Sequence, residues 1–487
     1  MILKIPKNLN IENRPFINGS FKSLKTNKFL KRKSPSLDYS LPKLFLCREN
    51  EVNYAVNSAK NSFQDGLWKN KSSKEKKKIF LKVATKMKKK IQELSMLDCL
   101  ETGRAINNFK RDSIPKAIEV IEYFAESIDK IYDNMTPLDL GSMNLITRKP
   151  LGVVVGITSW NDPLVPAMWK VCPAILMGNS IVMKPSELSS FSLLRLAEFF
   201  FEAGLPKGVL NVITGDGITA ENLIQHKDTN GIYFTGSTKT GKKISQIASK
   251  NRIKKISLEC GGKSSFIVSR NCTNLNKAAK TLAKNIFYNQ GQICSAPSRL
   301  IIDKKISSLF FEKLFKETEK YIPKNPLDSN SEIGGLISKK HYQNVKKIFN
   351  IGLKEKNSVK IFNKKRWKKN YSFPPVIFYN LKNNSKLLQE EIFGPILSCI
   401  EYSDINEAIK IANNSQYGLA SSIWSNNFEE IHYVSNLVEA GIIHINSYGE
   451  DGINIPFGGI KNSGFGRDKS IFAFQEYTYI KSIVYKP

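Results

Sequence analysis

An α/β protein, with largely parallel sheets covered by helices, follows from three features of this chain. From residue 151 onward, short apolar runs alternate with amphipathic helical stretches at the intervals of βαβ units. Of the 487 residues, 41% are hydrophobic and 24% charged, which is enough apolar content to bury a core and excludes a collagen, a mucin stalk or a wholly disordered chain. The longest uninterrupted apolar run, Val171–Met177, falls far short of the roughly 20 residues of a membrane span. At about 100–200 residues per domain the length implies about two to four domains.

Taken in order, Met1 to Phe16 is broken by Lys, Asn and Pro, so it does not read as a secretory signal. Residues 51–66, 74–103 and 113–129 carry helical periodicity, the last opened by Ser113 and Pro115. Strands are expected at Val153–Ile157, Ser180–Lys184, Val209–Ile213, Gly231–Phe234, Ile253–Leu258 and Ser265–Val268. Between them lie the helices Ser190–Ala203, which stops at Gly204-Leu205-Pro206, and Thr238–Ala248. Asn274–Tyr288 and Ile306–Tyr321 read as helices flanking the strand Ser298–Ile302. After a basic, poorly periodic stretch, Lys354–Lys369, expected as a surface insertion, the alternation resumes. It runs through the strands Ile396–Glu401, Leu419–Trp424 and Gly441–Asn446 and the helices Ile405–Asn413 and Phe428–Val438.

The formal charge is +31, from 74 Lys+Arg against 43 Asp+Glu. Lysine and asparagine are spread along the whole chain, so no nucleic-acid partner is expected. The densest runs, Lys74–Lys78 and Lys86–Lys90, share one segment with apolar residues at helical spacing and read as its solvated face. The seven cysteines (Cys47, Cys99, Cys172, Cys260, Cys272, Cys294 and Cys399) form no CxxC pair, which argues against a disulfide framework or zinc and for a reducing, cytoplasmic setting. The four histidines are scattered singly, and no metal is expected.

Four places carry more Gly, Asn and isolated polar residues than packing requires. Asn161, in Ile157–Pro163, sits at a strand end, where α/β sheets place ligands; its amide can donate to a developing oxyanion, although Asn-Asp-Pro is also good turn chemistry. Lys184 ends a strand with Glu187 three residues on; such a pair can hold a ribose diol, or Ser186 and Glu187 can simply cap a helix. In Phe234–Gly241, Gly236 and Ser237 would let a phosphate reach helix-terminal N–H groups, although the stretch is neither GxGxxG nor a P-loop. Lastly, Glu259 ends an apolar strand before two glycines and could serve as a base, while Cys294 follows Gly291 at the end of a helical stretch and could be a nucleophile. A single cysteine is more often a small buried hydrophobe.

In this order and register the stretches resemble the aldehyde dehydrogenase superfamily from about residue 50 to the C-terminus. The motifs are SWNDP (159–163), MKPSE (183–187), FTGST (234–238), LECGGK (258–263), GQIC (291–294), EEIFGP (390–395) and PFGGIKNSGFGRD (456–468). The resemblance implies a Rossmann-like cofactor domain over 1–131 and 151–261 and an α/β catalytic domain over 262–461. A small β oligomerisation arm of 132–150 and 477–487 would support a homodimer or homotetramer. It implies Cys294 as nucleophile, Asn161 with the Cys294 N–H as oxyanion hole, and Glu259 as the base for deacylation. Trp160, Lys184, Ser186, Glu187, Gly236, Ser237, Glu391 and Phe393 would contact the dinucleotide.

Against the family pattern, Glu259 favours hydrolysis over acyl transfer to coenzyme A, and Glu187 favours NAD over NADP because a carboxylate repels a 2′-phosphate. Trp169 and Phe457 would line an aldehyde tunnel. Asp162 and Asp451 stand where relatives acting on simple aldehydes often carry aromatics. Two readings of Asp162 are open: it selects a polar or cationic aldehyde, or it is neutralised within the protein, with Lys116 as the candidate partner. Simple aliphatic or aromatic aldehydes are the alternative substrates, and a basic binding protein on a catalytically dead fold is the non-enzyme alternative.

Overall fold

The computed structural model describes residues 2–7, 9–23, 28–137, 143–355, 357–363, 371–449 and 451–485. Five parallel strands form the centre of an eight-stranded sheet, in the order Leu210–Val212, Ser180–Lys184, Val153–Ile157, Gly231–Thr235, Lys255–Glu259. Antiparallel pieces Phe16–Ile17 and Ser20–Phe21 close one edge, and Gly464–Phe465 closes the other. The chain winds outward from Val153–Ile157 on one side, then returns to add two strands on the other. That reversal opens a crevice at the carboxyl ends of the strands.

The continuous apolar runs arise because both faces of this sheet are covered. Val153, Val155 and Ile157 pack with the helices Glu49–Asp65 and Thr238–Ala248, while Val154 packs with Ser73–Lys89, Val165–Leu176 and Phe191–Glu202 on the opposite face. Each such valine, fully buried, contributes on the order of 2 kcal/mol.

A second, seven-stranded sheet runs Ser358–Ile361, Val376–Tyr379, Ile396–Tyr402, Arg299–Asp303, Ser265–Val268, Ala420–Trp424, Ile442–Ile445. All its neighbouring pairs are parallel except the first. The third sheet has Met143–Pro150 in the middle, antiparallel to Asn134–Pro137 and to Thr478–Tyr485. Its outer strand, Thr478–Tyr485, leaves Ile480, Ile483, Val484 and Tyr485 exposed beside an edge that pairs with no other strand among the described residues.

Several expectations need correction. The helix expected over 74–103 is two helices, Ser73–Lys89 and Ile91–Thr102, meeting at Lys90 with φ −117° and ψ 15°. The first is amphipathic, whereas every residue from Leu94 to Thr102 is buried, so the chain must change direction to enclose the second. The helix Val165–Leu176 escaped detection because nearly every residue in it is buried and no polar face marks its period. Gly217–Gln225 and Lys339–Lys354 are further helices not anticipated. Within the expected insertion, Ser358–Ile361 is an edge strand, and residues 356 and 364–369 lie outside the described residues, as does the 138–142 part of the expected hairpin. The lysine-rich helix spreads its charge over neighbouring acids: Lys77, Lys86 and Lys88 pair with Glu126, Glu202 and Glu122.

Candidate active site

A cavity of about 1080 Å³ opens at the carboxyl ends of the first sheet's parallel strands and continues between the two sheets, and every candidate catalytic, cofactor and tunnel position borders it. Strand geometry explains the convergence. Lys184 ends one strand, Asn161 follows Val153–Ile157, Ser237 follows Gly231–Thr235, and Glu259 ends Lys255–Glu259.

Asn161 is buried and its amide orientation is set on both sides. Ser159 Oγ donates to Asn161 Oδ1 at 2.7 Å, and Asn161 Nδ2 donates to the Gln292 carbonyl at 3.0 Å. One N–H of the amide remains for a ligand. Cys294 reaches the cavity from a tight turn in which Asn289, Gln290 and Gly291 are all left-handed, with φ of 47°, 55° and 71°. Such a conformation costs about 1 kcal/mol or more for glutamine. Buried amides hold the turn: Asn289 Nδ2 donates to the Asn161 carbonyl at 3.0 Å, and Gln292 Nε2 to the Asn289 carbonyl at 3.1 Å.

Burial, then the carboxylates of Glu391 and Glu259, push the Cys294 pKa up to about 12. The thiol is therefore protonated at neutral pH; Cys294 as a residue is partly exposed, unlike the six other cysteines, which are buried. Alkylation of Cys294 by iodoacetamide in the cofactor-free protein should accelerate about tenfold per pH unit between about pH 7 and 9, since only the thiolate reacts. Peptide mass spectrometry reads this directly, and a plateau within that range would contradict it.

Glu259 is 3% exposed and neither carboxylate oxygen makes a hydrogen bond. Burial raises its pKa well above the usual carboxylate value, Asp468 adds to this, and Lys170 and Arg467 oppose it. A Cβ at Gly458 would lie 2.8 Å from Glu259 Oε1, so glycine there keeps space beside the carboxylate. Behind it, Lys170 Nζ and Asp468 Oδ2 form a buried ion pair at 2.9 Å. Removing one partner of such a pair costs about 3–5 kcal/mol. Lys170 was missed in the sequence; its signal was a lone lysine inside the otherwise apolar VPAMWKVCPAIL.

On the other arm of the cavity, Lys184 is buried and donates to the carbonyls of Gly215 at 2.7 Å and Pro185 at 2.9 Å, with Glu187 Oε2 3.7 Å away. Burial lowers its pKa, against the pull of Glu187 and Asp216. Ser186 is not a helix cap: its Oγ accepts from Leu188 N at 3.2 Å, and the helix begins only at Phe191. Ser237 caps Thr238–Ala248 by accepting from Thr240 N, and Gly236 joins this cap to its strand. Glu391 accepts from Gly262 N at 3.0 Å, and burial pushes its pKa up to about 7. Phe393 is left-handed at φ 52°, and its ring meets Trp160 edge-on, 5.5 Å between centroids. Lys263, not anticipated, is buried near Glu391 with no hydrogen bond, and burial brings its pKa down to about 7.

In the remaining part, Trp169 and Phe457 lie 5.3 Å apart. Asp162 is neutralised within the protein, but not by Lys116, which pairs instead with Asp112 at 2.9 Å. Its partners are Arg104 at 3.3 Å and the Ser113 hydroxyl. Sequence spacing cannot reveal Arg104, because the contact spans two distant segments. Asp451 is likewise paired, with Lys469. Among the described residues no group of three or more His, Cys, Asp or Glu is arranged to hold a metal, and no helix is long and apolar enough to cross a membrane.

The aldehyde dehydrogenase family model matches residues 22–483. The NADP/NAD-dependent aldehyde dehydrogenase PuuC of Escherichia coli is 37% identical over 476 residues, covering 98% of this chain and 96% of the relative. The crystal structure of the aldehyde dehydrogenase KauB from Pseudomonas aeruginosa superposes with a TM-score of 0.97 at 35% identity, over 99% of this chain and 98% of that one. The gamma-glutamyl-gamma-aminobutyraldehyde dehydrogenase of Burkholderia cenocepacia gives 0.95 at 39% identity, over 98% and 97%.

Proposed function

The chain belongs to the aldehyde dehydrogenase family, and from that premise we propose that it oxidises a polar aldehyde to the carboxylic acid with NAD, hydrolytically, through Cys294. One observation carries the reading: a thiol, an amide with a free N–H and a carboxylate without hydrogen bonds border one cavity.

The dinucleotide fits the residues of the Lys184–Ser237 arm. Glu187 and Lys184 would hold the adenosine ribose, Ser237 and the helix N-terminus behind it the pyrophosphate, Glu391 the second ribose, and Trp160 and Phe393 the nicotinamide side. When bound, the nicotinamide supplies the acceptor for the hydride that leaves the substrate carbon.

The protein's own residues do the rest. Cys294 Sγ, its proton released to solvent water, adds to the aldehyde carbon to form a thiohemiacetal oxyanion. The free N–H of Asn161 and the Cys294 backbone N–H stabilise that charge; one such donor contributes about 3 kcal/mol. Loss of hydride leaves a thioester on Cys294. Glu259, as carboxylate, takes a proton from water, which attacks the thioester; the acid is released, and the proton held on Glu259 passes to the departing Cys294 thiolate. The unfilled hydrogen-bonding capacity of Glu259 supports a water partner there.

Residues 1–131 with 151–261 would form the dinucleotide-binding domain and 262–461 the catalytic domain. The segments 132–150 and 477–487 would form an oligomerisation arm, its apolar edge strand supporting a homodimer or homotetramer. The unpaired cysteines support a cytoplasmic setting. The paired state of Asp162 and Asp451 favours a polar substrate of no net charge over a bare ammonium aldehyde, and the name of the Burkholderia relative supports an amide-bearing aminoaldehyde.

The test is NADH absorbance over a panel of amino-, hydroxy-, aromatic and aliphatic aldehydes; no turnover with any member overturns the reading. NAD should exceed NADP in kcat/KM, since the Glu187 carboxylate competes for the space and sign of charge of a 2′-phosphate. Glu187→Gln should narrow that gap by about tenfold, the scale of a removed like-charge contact. Equal efficiency with both cofactors in the unmodified protein would sink the preference.

A further inference from the structure

The aldehyde side of the cavity is backed by a guanidinium that the proposed chemistry does not use. Arg104 is 1% exposed. Its Nη1 donates to Asp162 Oδ2 at 3.3 Å and to the Asn161 carbonyl at 3.4 Å, and its Nη2 to the Tyr288 hydroxyl. Tyr288 in turn donates to Asp112, and Ser113 Oγ to Asp162 Oδ1. The rings of Phe109 and Tyr288 each lie 4.7 Å from the guanidinium carbon.

The two ends of this ion pair differ in access. The Asp162 side chain is 20% exposed and lines the cavity, whereas the Arg104 side chain is 1% exposed and lies behind it. Two acids near the pair are each matched or held back from ionising. Asp112 is matched by Lys116 at 2.9 Å, and burial of Asp98, on the helix Ile91–Thr102, raises its pKa well above the usual value and so disfavours its charged form. That leaves Asp162 against Arg104. A substrate passing Asp162 meets a carboxylate already compensated at close range, and a desolvated pair has little attraction left for a third charge.

We propose that Arg104 is a specificity-determining residue: it cancels the charge of Asp162 from behind and so keeps the aldehyde tunnel from selecting cationic substrates. This rests on the aldehyde-oxidation reading and names the residue that sets charge preference at that site. Arg104 touches no substrate; it acts through Asp162. The same guanidinium ties the Asn161–Asp162 turn to Tyr288, at the root of the Cys294 turn, so its loss will also lower kcat. The diagnostic quantity is therefore a ratio that a general loss of geometry leaves alone.

The experiment measures kcat/KM for an ω-ammonium aldehyde and for an uncharged aliphatic aldehyde of equal length, in the unmodified enzyme and four variants. Arg104→Gln should raise the ammonium-to-neutral ratio at least about tenfold, the effect of roughly one unmasked charge contact. Arg104→Gln with Asp162→Asn should return it to the unmodified value. Arg104→Lys, which keeps the charge but loses the fork, should lower kcat while holding the ratio within about twofold. Asp162→Asn alone, close in shape to the native side chain, leaves Arg104 uncompensated and should lower the ratio at least about fivefold. It keeps the inference testable if Arg104→Gln does not fold. An unchanged ratio in Arg104→Gln, or in Asp162→Asn, overturns the inference. Failure of the unmodified enzyme to turn over either aldehyde would overturn the underlying reading instead.

Discussion

Cys294→Ala should abolish aldehyde oxidation, with kcat falling by at least about 10⁴-fold, while dinucleotide affinity stays within about twofold. The size follows from chemistry: without the sulfur no covalent adduct forms, and no neighbouring group can replace it. Cys47, Cys99, Cys172, Cys260, Cys272 and Cys399 are all buried. The insensitivity of binding follows from placement, since Lys184 ends a strand of the first sheet, Glu187 lies in the turn after it and Ser237 caps a helix, all in segments other than the Gly291–Cys294 turn. Calorimetric titration with NAD and steady-state NADH production check the two halves. A variant retaining a tenth of the unmodified rate would disprove the nucleophile assignment.

Glu259→Gln should separate the two chemical stages. Hydride leaves before water attacks, so a burst of NADH, about one equivalent per active site, should survive while steady-state turnover falls by about 10²–10⁴-fold. Glutamine keeps the volume in a site where the carboxylate makes no hydrogen bond, so packing is disturbed little. The raised pKa of Glu259 also sets a pH dependence. A base must be ionised, so deacylation should strengthen as pH rises through that elevated pKa, and the rise should vanish in the glutamine variant. Loss of the burst together with turnover would mean that Glu259 acts on Cys294 first. Stopped-flow absorbance distinguishes these outcomes.

Much of this arrangement is legible in the sequence. Val153–Ile157, Ser180–Lys184, Thr238–Ala248, Ser265–Val268 and Ile405–Asn413 lie where their periodicity places them. The strands among them are short, continuous apolar runs, and the helices recur with one clear period and open at a capping side chain, Ser237 or Asp404. The residues expected to carry chemistry border one cavity because they stand at strand ends, and a parallel sheet gathers the loops after its strands along one edge. Legibility fails where burial hides the period, as in Val165–Leu176, and where a single segment contains two helices in different surroundings, as at Lys90.

The alternation of strand and helix, and the polar residues at strand ends, were encoded locally, in stretches short enough for spacing and residue type to speak; the roles of Cys294, Asn161 and Glu259 came from the resemblance of seven motifs in register. The charge state of the cavity was not encoded locally. Lys170 meets Asp468 across 298 residues, and Arg104 meets Tyr288 across 184. The sequence leaves Asp162 either selecting a polar or cationic aldehyde or neutralised within the protein with Lys116 as candidate partner; folding pairs it internally, but with Arg104, and gives Lys116 to Asp112. Electrostatic pairing depends on distance and on how much water is excluded, and both are properties of the packed chain.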